Sequence, residues 1–127
     1  MSKDLLVKNI RWLVTCNDAG EVLEHASMLV RNGVIVSIDP PGDVKADEVI
    51  DASGMILYPG MINAHHHLYQ IFSRNLPQVQ RMELFPWLKT LYGIWKNLEE
   101  ESIYYSSMSG MGELLKTGCT TILDHHY

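Results

Sequence analysis

Cysteine is scarce in this chain. Cys16 and Cys119 form neither a CxxC pair nor a disulfide framework, a usage that fits a reducing cytosol. Basic residues are outnumbered, ten Lys and Arg against fifteen Asp and Glu, giving a formal net charge of −5 and a pI near 5.6. That balance argues against phosphate-driven binding of nucleic acid. No apolar stretch approaches the roughly 20 residues that cross a bilayer, so no membrane partner is expected. The start, Met1-Ser2-Lys3-Asp4, opens onto an apolar run broken by Lys8 and Asn9, unlike a secretory leader, and a cytoplasmic location is expected. Internal repeats and low-complexity segments are absent. Length is limited as well: a complete (β/α)8 barrel takes about 250 residues and cannot fit in 127. With 46% hydrophobic and 20% charged residues, the composition is that of a globular protein.

The first sixty residues read as β-structure. Apolar runs at 5–9 and 12–16 lead into the turn formers Asn17-Asp18-Ala19-Gly20. Runs at 28–31 and 34–38 flank Asn32-Gly33, a strong hairpin signal because both residues tolerate positive φ. Val34, Val36 and Ile38 alternate, which predicts that one face of their strand is buried. Pro40-Pro41-Gly42 ends that strand, and 43–48 reads as a surface loop. Val49-Ile50-Asp51, the turn Ala52-Ser53-Gly54 and the run 55–58 predict a further hairpin.

The pattern changes at Pro59-Gly60. Met61-Ile62-Asn63-Ala64 predicts a strand that runs into His65-His66-His67. Leu84, Leu88, Leu91 and Trp95 recur at helical spacing, widened by Trp87 and Ile94, and Pro86 falls in the first turn of that helix. A second helix is predicted from about 99 to 116. Glu99-Glu100-Glu101 suits the positive end of its dipole, and Lys116 with Gly118 marks its end. The β-branched run 119–123 predicts a last strand, ending in Asp124-His125-His126. Strand, two helices and strand form the βαβ grammar of a parallel sheet, with the two strands adjacent. The predicted organisation is therefore α/β: a β portion over 1–60, then 61–127 as strand, two helices and strand.

Residues i and i+2 of a strand share a face, so His65 and His67 can aim both imidazoles at one point while His66 points away. Two imidazoles on one strand end can supply adjacent ligands of a transition metal. The carboxyl ends of parallel strands are where barrel enzymes place their chemistry. Other polar residues have blander readings. His66 is expected to pack behind the strand, His25 to be exposed, and Cys119 to be a small buried hydrophobe. His125 and His126 alternate, so at most one faces the same mouth.

The run from Gly54 through Pro59-Gly60-Met61-Ile62-Asn63-Ala64-His65-His66-His67-Leu68, preceded by Val49-Ile50-Asp51-Ala52-Ser53, resembles the entry strand of the amidohydrolase superfamily. The resemblance implies a metal-dependent (β/α)8 TIM barrel carrying a small β-sandwich built from both chain ends, with 1–60 as its N-terminal part. It implies that His65 and His67 ligate one divalent metal ion, zinc or iron(II). Cyclic-imide and dihydroorotase-like members carry an arginine where this chain has Tyr69, which speaks against them. The aromatic deaminase and chlorohydrolase branch carries a glutamine one position later, matching Gln70, whose amide can read a ring carbonyl beside a ring N–H. The segments 84–95 and Gly118-Cys119-Thr120-Thr121 resemble the same branch.

The activity so implied is hydrolytic deamination of an aromatic N-heterocycle, an 8-oxoguanine-like purine or a hydroxytriazine, by an activated water. The partner is then a small heterocyclic substrate, with Gln70, Trp87 and His126 as candidate substrate contacts, and the intact enzyme a homo-oligomer. The proton-shuttling glutamate and histidine and the remaining metal ligands are expected beyond Tyr127. No catalytic acid or base is assigned within the chain, which is read as part of an enzyme of about three domain lengths. Three alternatives are a non-catalytic binding or structural module, a small metal-storage domain using the histidines, and an amidohydrolase acting on a different ring. A storage domain would need a full ligand set within these residues.

Overall fold

In the computed structural model, which describes residues 3–126, Asn32 and Gly33 take φ values of 52° and 76°. This two-residue turn joins strands β2 (Val22–Arg31) and β3 (Val34–Ile38) as an antiparallel hairpin. The chain divides into two compact units, Met1–Pro59 and Gly60–Tyr127.

The first unit is one mixed sheet of order β3-β2-β1-β4, with a short β5 also on β1. The two apolar runs predicted at 5–9 and 12–16 are a single strand, β1 (Leu5–Val14). Asn9, at φ 58°, sits where the β1–β2 register slips between Val7 and Ile10. The extra residue of this bulge keeps Val7 and Ile10 on one face although they are three apart. Together with Leu13, Ala26 and Ala52 they form the buried core of this unit.

Two expectations fail here. The hairpin predicted over 49–58 does not form, because β4 (Glu48–Asp51) and β5 (Ile56–Leu57) both pair in parallel with β1. The turn at 52–55 closes as read, Met55 N–H donating to Ala52 O at 2.9 Å, but it carries the chain along β1 instead of folding it back. The buried face predicted for β3 is also absent: Val34, Val36 and Ile38 are 62%, 51% and 38% exposed. Alternation records the side-chain pattern of a strand, and β3 is an edge strand whose apolar side has no covering layer among the described residues of this unit.

The second unit begins with β6 (Met61–His66), which pairs in parallel with β7 (Cys119–Asp124). Between them lie two 3-10 turns, Leu68–Ser73 and Pro77–Val79, and helices α1 (Leu84–Trp95) and α2 (Glu100–Lys116). α2 starts on Glu100 and Glu101, carries Lys116 in its last turn, and gives way to Gly118 at φ 83°. The apolar stripe predicted for α1 is buried in its second half. Leu91 and Trp95 join Tyr69 and Val79 in a core, whereas Leu84 is 62% exposed. Cys119 is buried, as read.

Two glycines mark close approaches in this unit. At Gly110 on α2 an added Cβ would lie 2.7 Å from the Leu68 side chain, so the 3-10 turn rests directly on the helix backbone. At Gly60 it would overlap the Thr120 side chain, including Cβ at 2.8 Å, which no rotamer change relieves. Gly60→Ala is accordingly expected to lower stability by about 1–3 kcal/mol, the cost of overpacking, read as a drop in Tm in thermal unfolding. An unchanged Tm would show that β6 and β7 can separate locally at no cost.

Candidate metal centre at the ends of the parallel strands

β6 runs out at His66, and His67 stands one residue beyond it, at the head of the first 3-10 turn. The His65 and His67 rings meet edge to face, with centroids 4.9 Å apart. His67 Nδ1 donates to the backbone carbonyl of His125 at 2.7 Å. A carbonyl oxygen can only accept, so Nδ1 holds the proton and Nε2 the lone pair, the form in which a neutral imidazole ligates a divalent ion. The His125 ring lies 4.3 Å from that of His65 and 5.7 Å from that of His67. Among the described residues its Nε2, like His66 Nδ1, is buried with no hydrogen-bond partner.

Two converging imidazoles, one fixed in its ligating tautomer, fit a divalent ion as part of a donor set. They do not complete it. Among the described residues, no group of three or more His, Cys, Asp or Glu side chains is arranged to hold a metal ion.

The end of β7 supports this pair. His125 N–H donates to His66 O at 2.8 Å, and Asp124 Oδ1 accepts from Leu68 N–H at 2.8 Å. The other carboxylate oxygen of Asp124 faces His126 Nδ1 at 3.3 Å. The two terminal histidines diverge as strand alternation requires: His125 turns to His65 and His67, and His126 stacks edge to face on Tyr69 with centroids 5.0 Å apart. Gln70 Nε2 donates to the Tyr69 hydroxyl at 2.9 Å. Trp87 packs on Trp95, centroids 5.8 Å apart, and lines a shallow cavity of about 360 Å³ with Val79, Gln80, Met82 and Leu84.

Tyr69 joins these groups. Buried to 5% exposure, it touches His67 on one side, at 6.5 Å between centroids, and Trp95 on another, at 5.5 Å. In the sequence Tyr69 speaks only against the branches that carry an arginine there, and no pattern singles out Asp124. A bulky aromatic directly after the histidine run, and an acid at the end of the partner strand, were the available signals. Two buried serines complete the frame: Trp95 Nε1 donates to Ser73 Oγ at 2.9 Å, and Ser106 Oγ donates to Leu68 O at 2.7 Å.

The far end of the 3-10 turn is tied to α2 by a bidentate pair, Arg74 Nη1 and Nη2 donating to Glu113 Oε2 and Oε1 at 2.6 and 2.5 Å. The hydrogen bonds from Arg74, reinforced by its charge, hold the Glu113 carboxyl below the usual 4.5. A depressed folded pKa contributes stability that is present above the unfolded value and lost as pH falls through the folded one. The Tm gap between Glu113→Gln and the wild type should therefore be full at pH 7 and close as pH drops well below 4.5. Because both side chains are half exposed, 0.5 M salt should narrow it too. A gap that persists at pH 2 would assign the effect to packing.

The chain belongs to the amidohydrolase family, whose profile residues 56–127 match. It is 38% identical to hydroxydechloroatrazine ethylaminohydrolase of Pseudomonas sp. strain ADP, over 91% of this chain and 26% of that protein. Against 8-oxoguanine deaminase of Pseudomonas aeruginosa the identity is 41%, over 79% of this chain and 23% of that protein. Its fold superposes on the zinc complex of atrazine chlorohydrolase from Arthrobacter aurescens TC1 with a TM-score of 0.87 at 29% identity, covering 96% of this chain and 28% of that one. The fold is the start of a (β/α)8 barrel, and the chain spans about a quarter of the length of the curated relatives it matches. No helix among the described residues is long and apolar enough to cross a membrane.

Proposed function

We propose that this chain supplies the opening metal ligands and part of the substrate wall of an aminohydrolase, one that hydrolyses the bond between an aromatic N-heterocycle and an exocyclic amine. The observation that carries this reading is the His65–His67 pair with His67 Nδ1 donating to the His125 carbonyl. His65 and His67 would hold one zinc or iron(II) ion, with further donors supplied by the rest of the protein. A bound divalent ion lowers the pKa of water enough to make it a nucleophile near neutral pH.

The residues of the chain then act on the substrate. Gln70, three positions after His67, offers a donor and an acceptor to the edge of a heterocycle once its amide leaves the Tyr69 hydroxyl. Trp87 presents an aromatic face on which a flat ring can stack. His126, half exposed beside Tyr69, would contact a polar substituent. The likeness to 8-oxoguanine deaminase and to hydroxydechloroatrazine ethylaminohydrolase favours an 8-oxoguanine-like purine or a hydroxytriazine as the substrate.

The test is release of ammonia or alkylamine by the whole protein, loaded with zinc or iron(II), from 8-oxoguanine, guanine and a hydroxytriazine. Turnover of at least one, abolished by chelation and restored by metal, is expected. Metal-loaded protein that releases no amine from any of the three would overturn the reading.

A further inference from the structure

We infer that Asp124 is a positioning residue for His67, acting through the backbone N–H of Leu68. This rests on the metal-ligand reading of His67 given above. His67 lies outside the β6 ladder, with φ −134° and ψ 82°, and opens a 3-10 turn that has no side-chain cap of its own. The carbonyl of His67 accepts the first bond of the turn, from Gln70 N–H at 3.1 Å, but the first N–H of the turn, that of Leu68, lacks a partner within the turn. The Asp124 carboxylate fills that vacancy at 2.8 Å from Leu68 N, a charge-assisted bond to the peptide that directly follows His67.

The neighbouring contacts show why this bond matters to the ring. His66 O accepts from His125 N–H at 2.8 Å, and His67 Nδ1 donates to His125 O at 2.7 Å. Asp124 and His125, at and just past the end of β7, therefore grip residues 66, 67 and 68 in turn, and the Asp124 grip is made by a side chain. In the next peptide plane, Leu68 O is held by the fully buried Ser106 hydroxyl of α2 at 2.7 Å. Leu68 is thus fixed at both its N–H and its C=O by side chains from two different elements. Releasing its N–H lets the His67 backbone turn, which lengthens the bond that sets the ring's tautomer and aim.

Outer partners of metal-ligating histidines typically command about 10–100-fold in metal affinity. In the whole protein, Asp124→Ala is expected to weaken zinc binding by about that factor in chelator competition. The metal-free variant should also lose the slowly exchanging Nδ1–H signal of His67 in ¹H–¹⁵N spectra. Asp124→Asn keeps an oxygen at the Oδ1 position and should restore both the signal and an affinity within about threefold of wild type. A loss of generic stability alone would lower Tm in both variants without separating them in zinc affinity. If Asp124→Ala does not fold, Asp124→Ser, too short to reach Leu68 N, takes its place with the same expectation. Wild-type zinc affinity in Asp124→Ala alongside its loss in His67→Ala would overturn this inference and leave the ligand reading intact. Unchanged affinity in both would overturn both. Failure of Asp124→Asn to rescue would also overturn it, since the acceptor is retained.

Discussion

In the whole protein, His65→Ala and His67→Ala are each expected to strip the divalent ion and to remove turnover, while His66→Ala keeps both metal and fold. Each of the first two substitutions deletes an imidazole from the facing pair, whose centroids are 4.9 Å apart. Loss of a direct ligand should cost more than the roughly 100-fold in affinity that marks the upper range for outer partners, and metal content after desalting should fall to background. His66 differs because it faces the other side of β6. It lies near enough to Glu113 of α2 to help draw that carboxyl below its usual range, after the larger effect of Arg74. Its Nδ1 is buried without a partner among the described residues, so removing the ring also removes an unsatisfied polar group, and the resulting cavity is the main cost. Elemental analysis of the three variants, beside their thermal unfolding, separates the outcomes. Equal metal loss in all three would mean that side-chain alternation along β6 does not decide which rings face the ion.

Local signals in the sequence were enough for some elements. Asn32-Gly33 has a conformational demand that few other dipeptides meet, and it turned where read. α2 was bounded by its own acidic start and by Gly118, both of which act within one turn of the helix. Parallel pairing is a different kind of information. The segment 49–58 contains a good turn between two short apolar runs, which reads as a hairpin, yet β4 and β5 each find β1, more than forty residues upstream. Nothing within the segment encodes that choice. Burial of β3 failed for a related reason: alternation states which side chains share a face but not whether a layer covers it.

The site divides along the same line. The facing of His65 and His67, which persists although His67 lies one residue past the end of β6, was legible because extended backbone puts i and i+2 on one side. The supporting groups were not, since the contacts of His67 with His125 and of Leu68 with Asp124 span 58 and 56 residues and exist only once β7 lies beside β6. Gln70, Trp87 and His126 were singled out one by one in the sequence. What the structure adds is Tyr69, whose ring and hydroxyl link Gln70, Trp95 and His126 into a single cluster beside the histidine pair.

Residues 1–127 expressed by themselves are expected to self-associate and to show no turnover of 8-oxoguanine, guanine or a hydroxytriazine, even with zinc or iron(II) added. The first half of this expectation follows from surface chemistry. Among the described residues β6 and β7 pair only with each other, which leaves an unpaired edge on each side of a two-stranded sheet. Met61, Ile62 and Leu123 on those strands are 61%, 74% and 58% exposed, and Leu115 on α2 is 66% exposed. Unpaired edges flanked by apolar side chains are templates for intermolecular pairing. The second half follows from coordination. Two imidazoles leave a divalent ion mostly hydrated and weakly held, far from the three or more protein ligands of a working site. Of the polar groups at these strand ends, His125 Nε2 is buried against His65 and the carboxylate of Asp124 is committed to Leu68 and His126, so neither is free to protonate a departing amine. Light scattering on the purified chain should report oligomers at micromolar concentration, and an ammonia-release assay should stay at the buffer rate. A monomeric chain with measurable turnover would instead require a complete site within these residues, and the proton donor would then have to be sought among Asp124, His125 and His126.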